Sequence, residues 1–290
     1  MTPLDPFRDG IWLKREDEHQ LGAFKWRGAL ATLDAHNPDV VVTASTGNHG
    51  AATAWAARRA DARAIVFVPE QASAAKVALI EQQGAELRRA GTDMDEAKAA
   101  ARALAEQEGW YFFEDGAEPA QFEGYAGIGD ELLDQLAEPP GSVVVPVGNG
   151  ALAIGVLGAI ARRAPETERV AVAAAAAPAM WESWRAGRAV DSDRSSTFAD
   201  GLAVRVAIPL AVEHLNPLVQ RFELVSEREL ALGLGAFADV GIRVEASAAA
   251  PLAVALRESL PRPVVLIVTG RNIDEELWRR AVDAPSSFGA

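Results

Sequence analysis

Apolar, β-branched runs alternate with alanine-rich amphipathic stretches along nearly the whole chain. A strand buried on both faces reads as a short continuous apolar run, and a helix as apolar positions three and four apart. On that basis strands are predicted at 40–45, 64–69, 86–90, 110–114, 142–147, 169–174, 222–225 and 263–268. Helices are predicted at 25–33, 49–59, 72–83, 93–107, 122–136, 152–163, 227–238, 251–259 and 273–281. Strand-helix alternation implies an α/β fold of open twisted, mostly parallel sheets flanked by helices, and two sheets fit the chain better than one. The first four strands and their helices form a compact block, expected as a small domain over 36–122. Residues 1–35 and 123–290 are expected to form the large domain. The alanine run at 173–177 is expected to be a buried strand end, and the EPPG at 138–141 punctuates entry to the next strand.

With 290 residues the chain can build two domains with a sizeable core. The absence of cysteine excludes disulfides, thiolate nucleophiles and cysteine metal sites. The histidines, at 19, 36, 49 and 214, show no metal-ligand spacing, so no metal site is expected. A net charge of −13 argues against nucleic-acid or anionic-membrane partners and leaves local amide dipoles as the means of binding an anion. The first ten residues, MTPLDPFRDG, show no secretory pattern, no apolar run is long enough to span a bilayer, and a cytoplasmic location is expected.

Four stretches carry chemistry. In LKREDEHQLGAFKWRGA, residues 13–29, Lys25 follows an apolar Gly-Ala-Phe run and opens a helix whose Trp26, Ala29, Leu30 and Leu33 share one side. Desolvation on the buried side of a helix start favours a neutral, nucleophilic amine suited to Schiff-base chemistry, whereas an ordinary lysine would lay its stem along the surface. The turn Ser45-Thr46-Gly47-Asn48-His49-Gly50 leads from a strand into a helix, where unpaired amides suit a carboxylate. An ordinary helix cap by Ser45 or Asn48 would explain the same residues. The turn Gly148-Asn149-Gly150-Ala151-Leu152 has the same strand-to-helix form and suits a single phosphate. Its glycine spacing departs from the dinucleotide fingerprint and no acidic residue is placed for a ribose, so a nucleotide-dependent oxidoreductase is weakly supported. Finally, Thr269 closes an apolar strand at the sheet edge where α/β ligands bind, or simply caps the next helix.

In this collinear order LKREDEHQLGAFKWRGA, STGNHG, VPVGNGAL, FADGLAV at 198–204, VEASAAAPLA at 244–253 and VTGRNID at 268–274 resemble the fold-type II pyridoxal-phosphate enzymes with a tryptophan synthase beta-like fold. Threonine and serine dehydratases and serine racemases are the nearest in pattern, over residues 11 to 280. The resemblance implies that Lys25 carries pyridoxal 5′-phosphate as a Schiff base with Phe24 against the ring, and that Asn48 binds the ring oxygen. It further implies that the turn at Ser45, Thr46, Gly47, Asn48 and His49 binds the substrate carboxylate, that Gly148, Asn149, Gly150, Ala151 and Leu152 hold the phosphate, and that Thr269 faces the pyridine nitrogen. A neutral hydroxyl there would not enforce ring protonation, which favours β-elimination.

The implied reaction takes a β-hydroxy amino acid such as threonine or serine to a 2-keto acid and ammonia, with Lys25 as base, in a homodimer. Thr46 stands where racemases of this family carry a serine as second acid/base, and its β-methyl crowds that face. The chain departs from the family pattern at Ala23, at GNGAL in place of a glycine run, at Gly127, and at residues 173–179, where oxygen side chains for a cation are lacking. No C-terminal sensing domain is expected. β-Replacement, threonine-synthase-like or racemase-like chemistry, and a weakly active cofactor-binding role are the alternatives.

Overall fold

The computed structural model describes residues 1–289, without the side chains of 75 and 76. In chain order the elements are β1 (Leu4–Arg8), β2 (Ile11–Arg15), α1 (Trp26–His36), β3 (Val40–Ala44), α2 (Asn48–Arg59), β4 (Arg63–Val68), α3 (Ala74–Gln82), β5 (Glu86–Arg89), α4 (Met94–Glu108), β6 (Tyr111–Phe112) and α5 (Pro119–Gln135). There follow β7 (Ser142–Pro146), α6 (Ala151–Arg163), β8 (Glu168–Ala174), α7 (Ala179–Ala186), α8 (Pro209–Leu215), β9 (Arg221–Val225), α9 (Glu227–Ala238), α10 (Ala246–Arg257), β10 (Val264–Val268) and α11 (Glu275–Asp283).

The chain divides into two compact units. The larger comprises Met1–Phe24 and everything from Tyr125 onward; the smaller is Lys25–Gly124. The cut falls ahead of α1 and not at residue 35 as the sequence suggests, because α1 packs against α2. Trp26 and Trp55 meet edge-on across that contact, with ring centroids 6.0 Å apart. At the other cut, a side chain on Gly124 would meet the Arg27 carbonyl oxygen at 2.5 Å, so the start of α5 lies directly on the α1 backbone.

In the larger unit the sheet order is β1-β2-β10-β7-β8-β9. All neighbours are parallel except the β1–β2 hairpin. Both β7 and β10 are buried along their whole length, as expected of parallel strands covered on both faces. Alanines of α10 join Val144, Val172, Leu266 and Leu234 in the core. The hairpin is absent from the sequence prediction. Its signal is Asp9-Gly10, both left-handed with φ of +48° and +71°, the turn that joins tightly twisted antiparallel strands. Helix α10 begins five residues earlier than its proline suggested. Pro251 lies inside the helix, where burial of the whole 246–254 stretch offsets the hydrogen bond a proline cannot donate.

The smaller unit holds a parallel sheet in the order β5-β4-β3-β6. Its core joins Val42, Ile65 and Phe67 to alanines of α4 on one face, and Val66 and Val68 to Val77 and Ile80 on the other. The strand expected at 110–114 keeps its ladder only through Tyr111–Phe112, after which the chain turns out of the sheet. β5 lies at an edge and is charged: Glu86 pairs with Arg63 and Arg88, and the Arg89 guanidinium donates to the carbonyls of Glu70 and Ala72.

Candidate active site

In the smaller unit Lys25 immediately precedes α1 and is 15% exposed. The loop that delivers it is fixed within the larger unit: the Phe24 amide donates to the Thr269 carbonyl at 2.9 Å, and the Arg271 amide to that of Gly22 at 2.8 Å. The amine is not surrounded by apolar groups, as the sequence suggested. Its Nζ lies 2.6 Å from Asp115 Oδ2. The other carboxylate oxygen, Oδ1, accepts from Gln121 Nε2 at 2.7 Å and lies 3.6 Å from His49 Nδ1. Gln121 is fully buried, and its carbonyl accepts the Gly116 amide at 2.8 Å, which fixes its orientation.

The tautomer of His49 follows from its other side. Thr43 Oγ1 donates to the Phe113 carbonyl at 2.8 Å and lies 3.0 Å from His49 Nε2, so Nε2 carries a hydrogen and Nδ1 is the nitrogen turned toward Asp115. Burial pushes the His49 pKa down, against the pull of Asp115. Burial by itself would raise the Asp115 carboxyl; the charge of Lys25 and the hydrogen bonds from Lys25 and Gln121 outweigh it and hold that group well below the ordinary carboxylate range. His49 is therefore a buried partner of this network. Asp115, Gln121 and Thr43 went unremarked in the sequence, where the only signal was an Asp-Gly step following a strand, the edge at which α/β sheets place ligands.

The turn after β3 keeps two of its amides for itself. Ser45 N–H donates to the Phe67 carbonyl and Gly47 N–H to Ser45 Oγ, each at 3.1 Å. Of the turn residues expected to bind a carboxylate, Ser45 and Gly47 thus have their amides engaged within the unit, beside the start of α2. A side chain on Gly50 would meet Ile80 at 2.9 Å and the Ser45 carbonyl at 3.1 Å, so glycine is what lets α2 sit this close to the turn.

In the larger unit Gly148 and Gly150 open the turn from β7 into α6. A Cβ on Gly148 would lie 2.2 Å from the Gly201 carbonyl oxygen, and Gly150 adopts φ of +99°. Asn149 Oδ1 accepts the Ala151 amide at 3.1 Å, an Asx-turn that takes one of the five expected amides. Ala151 and Leu152 are buried, and the first turn of α6 carries no acidic residue of its own.

Thr269 is buried at the end of β10, and its Oγ1 donates to Glu245 Oε1 at 2.9 Å. Ser247 donates to the same oxygen at 2.9 Å. A side chain on Gly270 would meet Glu245 Oε2 at 2.7 Å, so glycine leaves room for the carboxylate. The Thr269 hydroxyl is thus held by a carboxylate the sequence did not point to, and with its hydrogen given to Glu245 its oxygen presents lone pairs. Phe24 is buried beside Tyr125, ring centroids 4.9 Å apart. The expected site residues thus divide, with Lys25 and 45–49 in the smaller unit and Phe24, 148–152 and Thr269 in the larger.

The donor set can be tested against pyridoxal phosphate by its chemistry. Taken unit by unit, the primary amine of the smaller unit suits that molecule's aldehyde, and the glycine-opened helix N-terminus and the Thr269 hydroxyl of the larger unit suit a phosphate and a ring nitrogen.

Comparison with known proteins agrees. Residues 2–270 match the pyridoxal-phosphate dependent enzyme family. The chain is 34% identical over 272 residues to an L-threonine ammonia-lyase of Geobacter sulfurreducens, covering 91% of this chain and 67% of that protein. It is 34% identical to the biosynthetic L-threonine dehydratase of Pasteurella multocida over 67% of this chain, but spans only 39% of that protein. The processed form of threonine deaminase isoform 2 from Solanum lycopersicum superposes with a TM-score of 0.92 at 26% identity, over 97% of this chain and 87% of that one.

Proposed function

The chain belongs to the pyridoxal-phosphate-dependent enzymes, and we propose that it is an ammonia-lyase that eliminates the β-hydroxyl of threonine or serine to give a 2-keto acid and ammonia. The observation that carries this reading is the match across residues 2–270 together with a lysine, Lys25, whose amine is held in a preformed polar network. When bound, the cofactor acts as an electron sink for the substrate's α-carbon. The remaining tasks belong to the chain.

Lys25 would bear the cofactor between turnovers and, once released from it, take the α-proton as general base. The turn at residues 45–49 and the positive end of α2 would hold the substrate carboxylate, and the Asn48 side-chain amide would serve the ring oxygen. The α6 N-terminus with Gly148, Asn149 and Gly150 holds the phosphate, while buried Ala151 and Leu152 keep water from its base. Thr269, oriented by Glu245, would face the ring nitrogen. The departing hydroxyl leaves as water after accepting a proton, and the enamine released hydrolyses to keto acid and ammonia.

Visible absorbance of the purified protein, borohydride fixation of the cofactor to the Lys25 peptide, and ammonia release from L-threonine, L-serine and L-phenylserine test this reading. A protein that stays colourless when incubated with pyridoxal phosphate would overturn it. Among the described residues no helix is long and apolar enough to cross a membrane. A cytoplasmic homodimer is the assembly proposed, measurable by light scattering of the eluted protein.

A further inference from the structure

The contact between Lys25 and Asp115 is built from three sides. Gln121 is clamped by the Gly116 amide and donates to Oδ1; His49, its far nitrogen tied to Thr43, stands beside the same oxygen; Oδ2 is left facing the Lys25 amine at 2.6 Å. The other cations nearby have a carboxylate of their own, since Lys98 and Arg102 of α4 both pair with Glu114. Asp115 is thus held with one oxygen presented to one amine.

That geometry bears on how Lys25 meets a carbonyl. An ammonium in an ion pair has no lone pair to attack with, so a Schiff base forms only after the contact is broken and a proton lost to water. We propose that Asp115 is a positioning residue that parks the uncombined Lys25 as an ion pair, so that capture of the cofactor aldehyde must first displace the amine from this carboxylate. The bond formed is Nζ to the aldehyde carbon, with the carbonyl oxygen leaving as water and no oxidant or reductant involved. In turnover the same carboxylate receives the Lys25 ammonium once the released amine has taken the α-proton. The inference rests on Lys25 being the cofactor-bearing residue, and the experiment separates the two.

The full chain, stripped of cofactor, is compared with its Asp115→Asn variant, which keeps an acceptor for Gln121 and removes the charge. Two rates are read at neutral pH. One is acetylation of Lys25 by acetic anhydride, followed by peptide mass spectrometry with Lys98 as internal standard; the other is uptake of pyridoxal phosphate, followed by visible absorbance. Both are expected to rise by about threefold to tenfold in the variant, the span that one partly exposed ion pair supports, while Lys98 acetylation is unchanged. Asp115→Glu should return both rates toward the parent, and Gln121→Met, which keeps the charge but loosens its hold, should give a smaller rise. A merely structural role would slow uptake, not speed it. Unchanged or slower Lys25 acetylation in both Asp115→Asn and Gln121→Met overturns the proposal. If the parent chain takes up no cofactor, the reading of Lys25 fails, and the acetylation rates still decide the role of Asp115.

Discussion

The two glycine turns make an instructive pair. Each leads from a buried parallel strand into a helix, yet they are equipped differently. In the smaller unit the region around β3 and α2 is a network of side chains, with Lys25, Asp115, His49, Gln121 and Thr43 each oriented by the next. In the larger unit the turn at 148–151 is mostly backbone, shaped by the contact of Gly148 with Gly201, by the left-handed Gly150 and by the Asn149 Asx-turn. A group that must change protonation and move needs charged partners that can let it go. The phosphate proposed for the second turn would stay anionic and in place, a task for which fixed dipoles suffice.

The sharpest break of this comparison is Lys25→Ala, which removes the group proposed to bond the cofactor covalently. Visible absorbance and the borohydride-fixed peptide should vanish, and ammonia release should fall by about a thousandfold or more, as when a nucleophile that is also the base is lost. Next is Gly148→Ala. The added methyl would lie 2.2 Å from the Gly201 carbonyl, so the turn must shift. Cofactor affinity, measured by equilibrium dialysis, is expected to weaken by about tenfold to a hundredfold because fixed dipoles tolerate little displacement. Lys25 acetylation in the cofactor-free variant should not change, which separates the two regions.

Glu245→Gln asks whether the larger unit also depends on one buried charge. Losing charge-assisted bonds from Thr269 and Ser247 should lower unfolding free energy by about 1–3 kcal/mol in urea titration, with loss of the cofactor's normal spectrum. Thr46→Ala should leave ammonia release within about threefold, since the turn offers its amides and not that hydroxyl, and chiral chromatography should detect no D-amino acid in either protein. D-Enantiomer formation that outpaces ammonia and disappears in the variant would make Thr46 a second acid/base. The smallest effect is expected of a chelator. The turn after β8 offers alanines where an oxygen-seeking cation needs side-chain ligands, so activity should change by less than about twofold.

What the sequence disclosed and what it hid follow from the same physics. Buried parallel strands such as β7 and β10 are legible because both faces demand apolar residues, and Lys25, Gly148 and Thr269 are legible because they sit where strands hand over to helices. The β1–β2 hairpin was obscured by prolines that break the alternating pattern, although Asp9-Gly10 marks its turn. A sequence displays which amides exist but not whom they bond. The amides of Ser45, Gly47 and Ala151 therefore looked available until Phe67, Ser45 Oγ and Asn149 proved to hold them. Asp115 and Glu245 were hidden for a related reason, since a carboxylate in a loop looks like any solvated one until the fold brings it against Lys25 or Thr269. The break ahead of α1 depends on how one helix packs on another, which no local pattern records.

The charged edge strand β5 bears on what becomes of the protein at high concentration. An open sheet ends in unsatisfied backbone groups that another chain's strand could extend. Here that outer strand carries Glu86, Arg88 and Arg89 within four residues, with Arg89 bridging to the carbonyls of the neighbouring loop. The opposite boundary, β6, is two residues long and offers little length to pair with. A newly made chain can therefore wait for its cofactor without its smaller sheet becoming a template for fibre growth.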